Sequence, residues 1–119
     1  MRGDEARVVQ SFCAWLTDHG WDVSTEVDFC DVVARRAEET LYAEAKGRTA
    51  AIGLDVDTMY GQLLRRMPMT SDPSARYAVV VPTEARSHAL RVPAAVRASL
   101  RIDVYVVAQD GTVDAVITT

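Results

Sequence analysis

Three charged residues in the first half of the chain, Asp31, Glu44 and Lys46, are of the types that bind a cation and activate a water molecule. Lys46 is the only lysine among the 13 basic residues, and all the others are arginines. Arginine presents a rigid planar fork of donors, whereas lysine presents a compact ammonium whose pKa burial can lower. The single lysine therefore indicates a position that requires an ammonium group, although chance alone could also leave one lysine in an arginine-rich chain.

The segments around these residues are predicted to be neighbouring strands. Residues 29–36 and 40–47 have strand-like composition, and a short polar turn between them would pair them antiparallel. This pairing would bring Asp31 close to Glu44. Because side chains two residues apart in a strand share a face, Glu44 and Lys46 would lie on the same side of the sheet.

A pair of neighbouring carboxylates predicts a cation site, because the two anions repel each other and a divalent cation relieves the repulsion. Oxygen ligands without cysteine or histidine nearby favour Mg²⁺ or Mn²⁺ over Zn²⁺. Asp28 competes with Asp31 for this role, and we prefer Asp31 because the apolar residues 32–34 follow it directly. Glu5, near the start of the first predicted helix, is either a further ligand or an acid that interacts favourably with the helix dipole.

Polar side chains on the second predicted helix could complete the site. Gln62 shares a helix face with Arg65 and Arg66, and Arg48 closely follows the Glu-x-Lys segment. These groups would approach a phosphate or an attacking water, or the helix face would simply be solvated. An ammonium at Lys46 would orient the water and offset negative charge in the transition state.

The whole chain, residues 1–119, is predicted to be one α/β domain. The expected elements are a helix over 4–19, strands over 21–27, 29–36 and 40–47, a helix over 56–67 capped by Asp55 or Asp57, a loop over 68–74, a strand over 76–81, a helix over 93–99, and strands over 102–108 and 112–117. A meander followed by a βαβ unit forms a mixed sheet flanked by helices, with the core order α-β-β-β-α-β.

Bulk properties narrow the class of protein. The net charge of −4 argues against a uniformly basic surface for nucleic acid, although several arginines cluster in the middle of the chain. No apolar run is long enough to cross a membrane and no signal sequence is evident, so we expect a cytoplasmic protein without a membrane partner. Cys13 and Cys30 lie among apolar residues and are expected to be reduced core thiols.

The segments that contain Asp31, Glu44 and Lys46 resemble the sequence motif of the PD-(D/E)xK phosphodiesterase superfamily, which has the restriction-endonuclease-like fold. The matching segments are Asp31-Val32-Val33-Ala34 and Leu41-Tyr42-Ala43-Glu44-Ala45-Lys46-Gly47. The opening Arg2-Gly3-Asp4-Glu5, an amphipathic helix and Gly20-Trp21-Asp22-Val23 are similar to Holliday-junction resolvase-like members. The resemblance covers residues 2–81, and Cys30 stands where the family usually has a proline before the aspartate.

This resemblance implies roles for individual residues. It implies Mg²⁺ or Mn²⁺ bound by Asp31 and Glu44, with a contribution from the helix glutamate Glu5. It implies catalysis by Asp31, Glu44 and Lys46, and Gln62 matches a helix glutamine that recurs after the Glu-x-Lys strand.

The sequence therefore predicts a metal-dependent nuclease that hydrolyses DNA phosphodiester bonds, with Arg48, Arg65 and Arg66 as nucleic-acid-binding residues. The alternative is a non-catalytic module of the same fold that binds nucleic acid or protein. A homodimer is expected if the protein cuts both strands of a duplex, since one domain of this size holds one site.

Overall fold

A six-stranded mixed β-sheet forms the centre of the protein in the computed structural model, which describes residues 3–67 and 72–118. The elements in chain order are α1 (Gly3–Asp18), β1 (Asp22–Val27), β2 (Cys30–Arg36), β3 (Glu39–Ala45), α2 (Ile52–Arg66), β4 (Ala75–Pro82), a 3₁₀ turn (Thr83–Ala85), α3 (Arg86–Ala89), α4 (Ala94–Leu100), β5 (Ile102–Val107) and β6 (Val113–Val116).

The strands lie in the sheet in their order along the chain. β1, β2 and β3 form an antiparallel meander, β3, β4 and β5 are parallel, and β6 pairs antiparallel with β5. Parallel neighbours require a crossover, which α2 provides between β3 and β4, and α3 with α4 between β4 and β5. The predicted α/β class and the core order α-β-β-β-α-β are confirmed.

Helices cover both faces of the sheet. The apolar stripe of α1 packs on one face, and Gly20 ends the helical region with a φ of +86° that favours glycine. The core on this side contains Val8, Val9, Phe12, Leu16, Val32, Ala34, Leu41, Ala43, Ala78 and Val80. The core on the other side contains Val56, Met59, Tyr60 and Leu63 of α2 with Tyr77, Val79, Val81 and Val104.

Several predicted boundaries were wrong. α2 begins at Ile52 rather than at residue 56, and neither Asp55 nor Asp57 caps it, because the N-cap residue is Ala51 without a side-chain cap. Instead, the Asp55 carboxylate accepts a hydrogen bond from the Thr49 hydroxyl. The short helical segments over 83–89 were not predicted. Of the predicted loop over 68–74, residues 68–71 lie outside the described residues.

Two corrections bear on the site. β3 ends at Ala45, so Lys46 is the first residue after the strand, although its N–H still donates to the Val80 carbonyl at 3.0 Å. Phe29, predicted as the first residue of β2, lies instead in the turn between β1 and β2. Cys13 and Cys30 are both free thiols, as predicted. No helix in the described residues has the length and apolar character needed to cross a bilayer.

Candidate active site

Asp31 and Glu44 face each other across β2 and β3. Val32 pairs with Ala43, and the same register continued by one residue sets Asp31 opposite Glu44. Ala43 and Ala45 belong to the core beneath α1, so the side chain of Glu44 between them projects to the α2 side. The Asp31 Oδ2 accepts a hydrogen bond from the Ala45 N–H at 2.8 Å, which ties this carboxylate to the end of β3.

Glu44 is a buried acid with a strongly altered affinity for protons. Glu44 is only 4% exposed to solvent. Burial, and then the charge of Asp31 and a hydrogen bond with it, raise the pKa of Glu44 to about 8. Arg66 opposes this rise with its positive charge. Without a bound cation, Glu44 therefore tends to hold a proton at neutral pH, and a cation would compete with that proton.

Glu5 and Lys46 border the same carboxylate pair. The Lys46 Nζ lies 3.9 Å from the Glu5 Oε1, and both side chains are partly exposed. Burial and the charge of Asp31 raise the pKa of Glu5, whereas the charge of Lys46 lowers it. The structure thus brings Glu5 from α1 next to Lys46, the residue that follows β3.

The loop after β3 is fixed to the first turn of α1. The Asp4 carboxylate accepts hydrogen bonds from the Arg48 N–H at 2.7 Å and from the Arg7 Nε at 2.8 Å. Gly47 packs directly against the backbone of Asp4 and Glu5, where a side chain would have no room. Asp4 and Gly47 therefore position Glu5 and Lys46, a role that sequence inspection missed. The available signal was the glycine immediately after Glu-x-Lys.

Two open clefts meet at Glu44. The first, which we name the acidic cleft, has a volume of about 560 Å³. It is lined by Glu5, Phe29, Asp31, Glu44, Ala45, Lys46, Asp55, Thr58, Met59 and Gln62. The second, the basic cleft, has a volume of about 580 Å³ and is lined by Asp28, Phe29, Glu44, Gln62, Arg65 and Arg66. Carboxylates and an ammonium thus line one cleft, guanidinium groups line the other, and the two clefts share Phe29, Glu44 and Gln62.

The remaining predicted residues divide between the clefts and the exterior. Gln62 lines both clefts, and Arg65 and Arg66 line the basic cleft. Arg48 lines neither of them, because its guanidinium extends to Glu84, with Nη1 and Oε2 3.4 Å apart. Asp28, the alternative to Asp31, lies in the turn between β1 and β2 and lines the basic cleft but not the acidic cleft.

The adjacent carboxylates of Asp31 and Glu44 offer a divalent cation some, but not all, of the ligands that it requires. Within residues 3–67 and 72–118, no group of three or more acidic, histidine or cysteine side chains is arranged to hold a metal by itself. Mg²⁺ commonly uses only one or two carboxylates and completes its shell with water and substrate phosphate. The adjacent Asp31 and Glu44 fit that demand, because both offer oxygen ligands and the charge of Asp31 raises the pKa of Glu44, a repulsion that a cation would relieve. Mn²⁺ accepts the same ligands.

The fold resembles that of two solved structures over nearly the full chain. An XisH family protein from Nostoc punctiforme PCC 73102 has a TM-score of 0.64 and 18% identity, covering 94% of this chain and 99% of that one. An fdxN element excision controlling factor protein from Anabaena variabilis has a TM-score of 0.65 and 15% identity, covering 93% and 98%. At these identities the likeness establishes the shared fold. No protein-family model and no curated protein matches the sequence.

Proposed function

We propose that this protein is a metal-dependent nuclease that hydrolyses DNA phosphodiester bonds with an activated water. The observation that carries the proposal is the pair formed by Asp31 and Glu44, which stand opposite each other with Glu44 buried. A buried acid next to another acid costs the fold stability, and a function of the pair explains why that cost is retained. The only lysine of the chain, Lys46, borders the same cleft.

The residues have distinct roles in this proposal. Asp31 and Glu44 would hold Mg²⁺ or Mn²⁺, and Glu5 would hold the Lys46 ammonium toward the cleft through their pairing at 3.9 Å. A bound divalent cation supplies Lewis-acid stabilisation of phosphate charge and favours deprotonation of the attacking water. The Lys46 ammonium orients that water and offsets the negative charge that develops on the phosphate. Gln62, which lines both clefts, positions the water or the phosphate by hydrogen bonding.

The basic cleft supports a nucleic-acid substrate. Arg65 and Arg66 lie beside Glu44, so cationic side chains stand next to the carboxylate that would bind the metal. Phosphate contacts of this kind position a nucleic acid without reading its sequence. The net charge of −4 does not oppose this role, because the acids that bind a cation contribute to it. The excision role stated for the Anabaena variabilis protein favours DNA over RNA as the substrate. Cleavage of both strands of a duplex would require a second copy of the chain.

A non-catalytic module that binds nucleic acid or protein is the second candidate. It is favoured by the absence of a three-ligand metal group among the described residues. In that case the basic cleft would bind nucleic acid, and the carboxylates would have no catalytic role.

A cleavage assay distinguishes the two candidates. Branched, single-stranded and duplex DNA would be incubated with the protein and Mg²⁺ or Mn²⁺. We expect cleavage that disappears in Glu44→Gln, whereas Asp57→Asn, an exposed carboxylate on α2 outside both clefts, retains it. DNA binding without cleavage of any substrate would instead support the non-catalytic module.

A further inference from the structure

The large apolar side chain of Phe29 is not shielded from solvent by any neighbour among the described residues. It is 101% exposed, more than any other large hydrophobic residue in the described part of the chain. It also lines both the acidic cleft and the basic cleft. An aromatic ring is therefore held in solvent at the junction of the proposed metal site and the proposed phosphate-binding arginines.

The backbone at Phe29 is unfavourable for a phenylalanine. Val27 pairs with Cys30, so Asp28 and Phe29 form a two-residue hairpin turn. Asp28 has a φ of 50° and Phe29 a φ of 64°, which makes both central residues left-handed. Turns of this kind favour asparagine followed by glycine, because a Cβ in the left-handed region is strained. Neither burial nor turn chemistry accounts for an aromatic residue here, and unexplained strain of this kind is typical of functional positions.

The turn is also held in place. The Arg66 Nη2 donates a hydrogen bond to the Asp28 carbonyl oxygen at 2.8 Å. This contact joins the tip of the β1–β2 hairpin to α2, across the basic cleft. Phe29 is therefore a positioned aromatic platform beside Arg65 and Arg66, which is the combination that single-stranded nucleic-acid-binding surfaces use.

We propose that Phe29 stacks on an unpaired base of the nucleotide adjacent to the cleaved phosphate. The substrate class is then DNA with unpaired nucleotides at the cut, such as a single strand, a flap or a branch. In a continuous duplex both faces of each base are covered by neighbouring bases, and exposing one requires unstacking. This inference rests on the proposed nuclease function, since it assigns the substrate of the same site.

The test measures binding separately from cleavage. Fluorescently labelled single-stranded DNA and a blunt duplex of the same sequence are titrated with protein in EDTA, with fluorescence anisotropy as the readout. Phe29→Ala should weaken single-strand binding by about 5- to 150-fold, the measured range for one base stacked on an aromatic side chain. Duplex binding should change by less than about twofold. Phe29→Trp should retain single-strand binding, because a larger aromatic ring stacks as well.

Two further measurements exclude indirect effects. Leu54→Ala removes another exposed apolar side chain, one that lines neither cleft, and should leave binding unchanged. A fluorescent adenine analogue in the single strand should be quenched by the wild-type protein and by Phe29→Trp but not by Phe29→Ala. Phe29→Gly serves as a second variant, because glycine suits the turn and the variant should fold.

The outcomes separate this inference from the proposed function. Unchanged single-strand binding in Phe29→Ala and Phe29→Gly, with DNA cleavage intact, overturns the stacking role and leaves the nuclease standing. Equal losses for single strand and duplex overturn the substrate class. If the wild-type protein neither binds nor cuts any DNA, both the inference and the proposed function are wrong.

Discussion

Gly47 and Glu5 meet backbone to backbone, forty-odd residues apart in the chain. A Cβ added to Gly47 would lie 2.3 Å from the Glu5 amide nitrogen and 2.5 Å from the Asp4 carbonyl carbon. The φ of Gly47 is not left-handed, so the glycine is required by this close approach and not by its backbone angles. The contact holds the start of α1 against the loop that carries Lys46, and so places Glu5 beside the acidic cleft.

Gly47→Ala should therefore move the start of α1 away from the loop. We expect a loss of about 1–3 kcal/mol in the free energy of unfolding, the usual range for an overpacked contact, and a weaker response to Mg²⁺. Thermal melting with and without Mg²⁺ measures both effects. Gly61→Ala is the matched control, because its added methyl meets only the flexible end of Arg65 and alanine favours a helix. A Gly47→Ala protein as stable as the wild type would contradict the close approach.

Lys46→Arg separates the chemistry of the ammonium from its charge. The Lys46 side chain is partly exposed and its pairing with Glu5 spans 3.9 Å, so the fold should lose at most about 0.5 kcal/mol. The permanently protonated, bulkier guanidinium should reduce cleavage by roughly 10²-fold, comparable to removing one transition-state donor. Rates of DNA cleavage and melting curves test this. The control is Arg86→Lys, in an exposed pair with Asp114 away from both clefts, and full activity in Lys46→Arg would remove the case for a catalytic lysine.

Glu44 should make the metal-free protein less stable as the pH rises. Its pKa is raised from 4.5 to about 8, so the folded protein holds this proton more tightly than the unfolded chain does. The stabilisation is complete below about pH 4.5 and is lost as the pH rises through about 8. Glu44→Gln removes this titration. Above about pH 8 its free energy of unfolding should exceed that of the wild type by on the order of 1 kcal/mol or more, and it should melt at a higher temperature. A stability difference that does not change with pH would rule out a raised pKa at Glu44.

Mg²⁺ should stabilise the protein through Asp31 and Glu44. A ligand that binds only the folded state adds about 2.7 kcal/mol at a hundredfold excess over its Kd. Asp31→Asn should abolish this gain while keeping an oxygen that can accept the hydrogen bond from the Ala45 N–H. Differential scanning fluorimetry across a Mg²⁺ titration measures the shift, with Asp57→Asn as the control. An equal shift in Asp31→Asn would place the cation elsewhere.

The local patterns of the sequence predicted the arrangement of the carboxylates well. Two strand-like segments and the short turn between them determine the register of β2 and β3, and that register sets Asp31 opposite Glu44. Period two then places Glu44 on the α2 side. Each of these steps depends on neighbours within about fifteen residues, a range in which turn and alternation rules hold.

Long-range contacts explain what the sequence did not reveal. The Arg48 side chain pairs with Glu84 and lines neither the acidic cleft nor the basic cleft, and no local pattern connects Arg48 with Glu84. Asp55 bonds to Thr49 in place of capping α2, so the helix begins earlier than its acidic residue indicates. Phe29 resembles a strand residue in an alternating pattern, and only the pairing of its neighbours shows that it lies in a turn.

Phe29→Gly should make the protein more stable and a weaker binder of single-stranded DNA. Glycine adopts the left-handed φ of 64° without strain, and the exposed ring makes no packing contribution that would be lost. We expect the free energy of unfolding to increase by up to about 1 kcal/mol, since relief of the left-handed strain is partly offset by the greater backbone entropy that glycine loses on folding.

Ala37→Gly is the matched control, because Ala37 also has a left-handed φ, of 53°, in the turn between β2 and β3. Thermal melting should show both variants stabilised, while anisotropy should show weaker single-strand binding for Phe29→Gly alone. Loss of binding in both variants would show that binding depends on the rigidity of the β1–β2–β3 meander and not on the aromatic ring of Phe29.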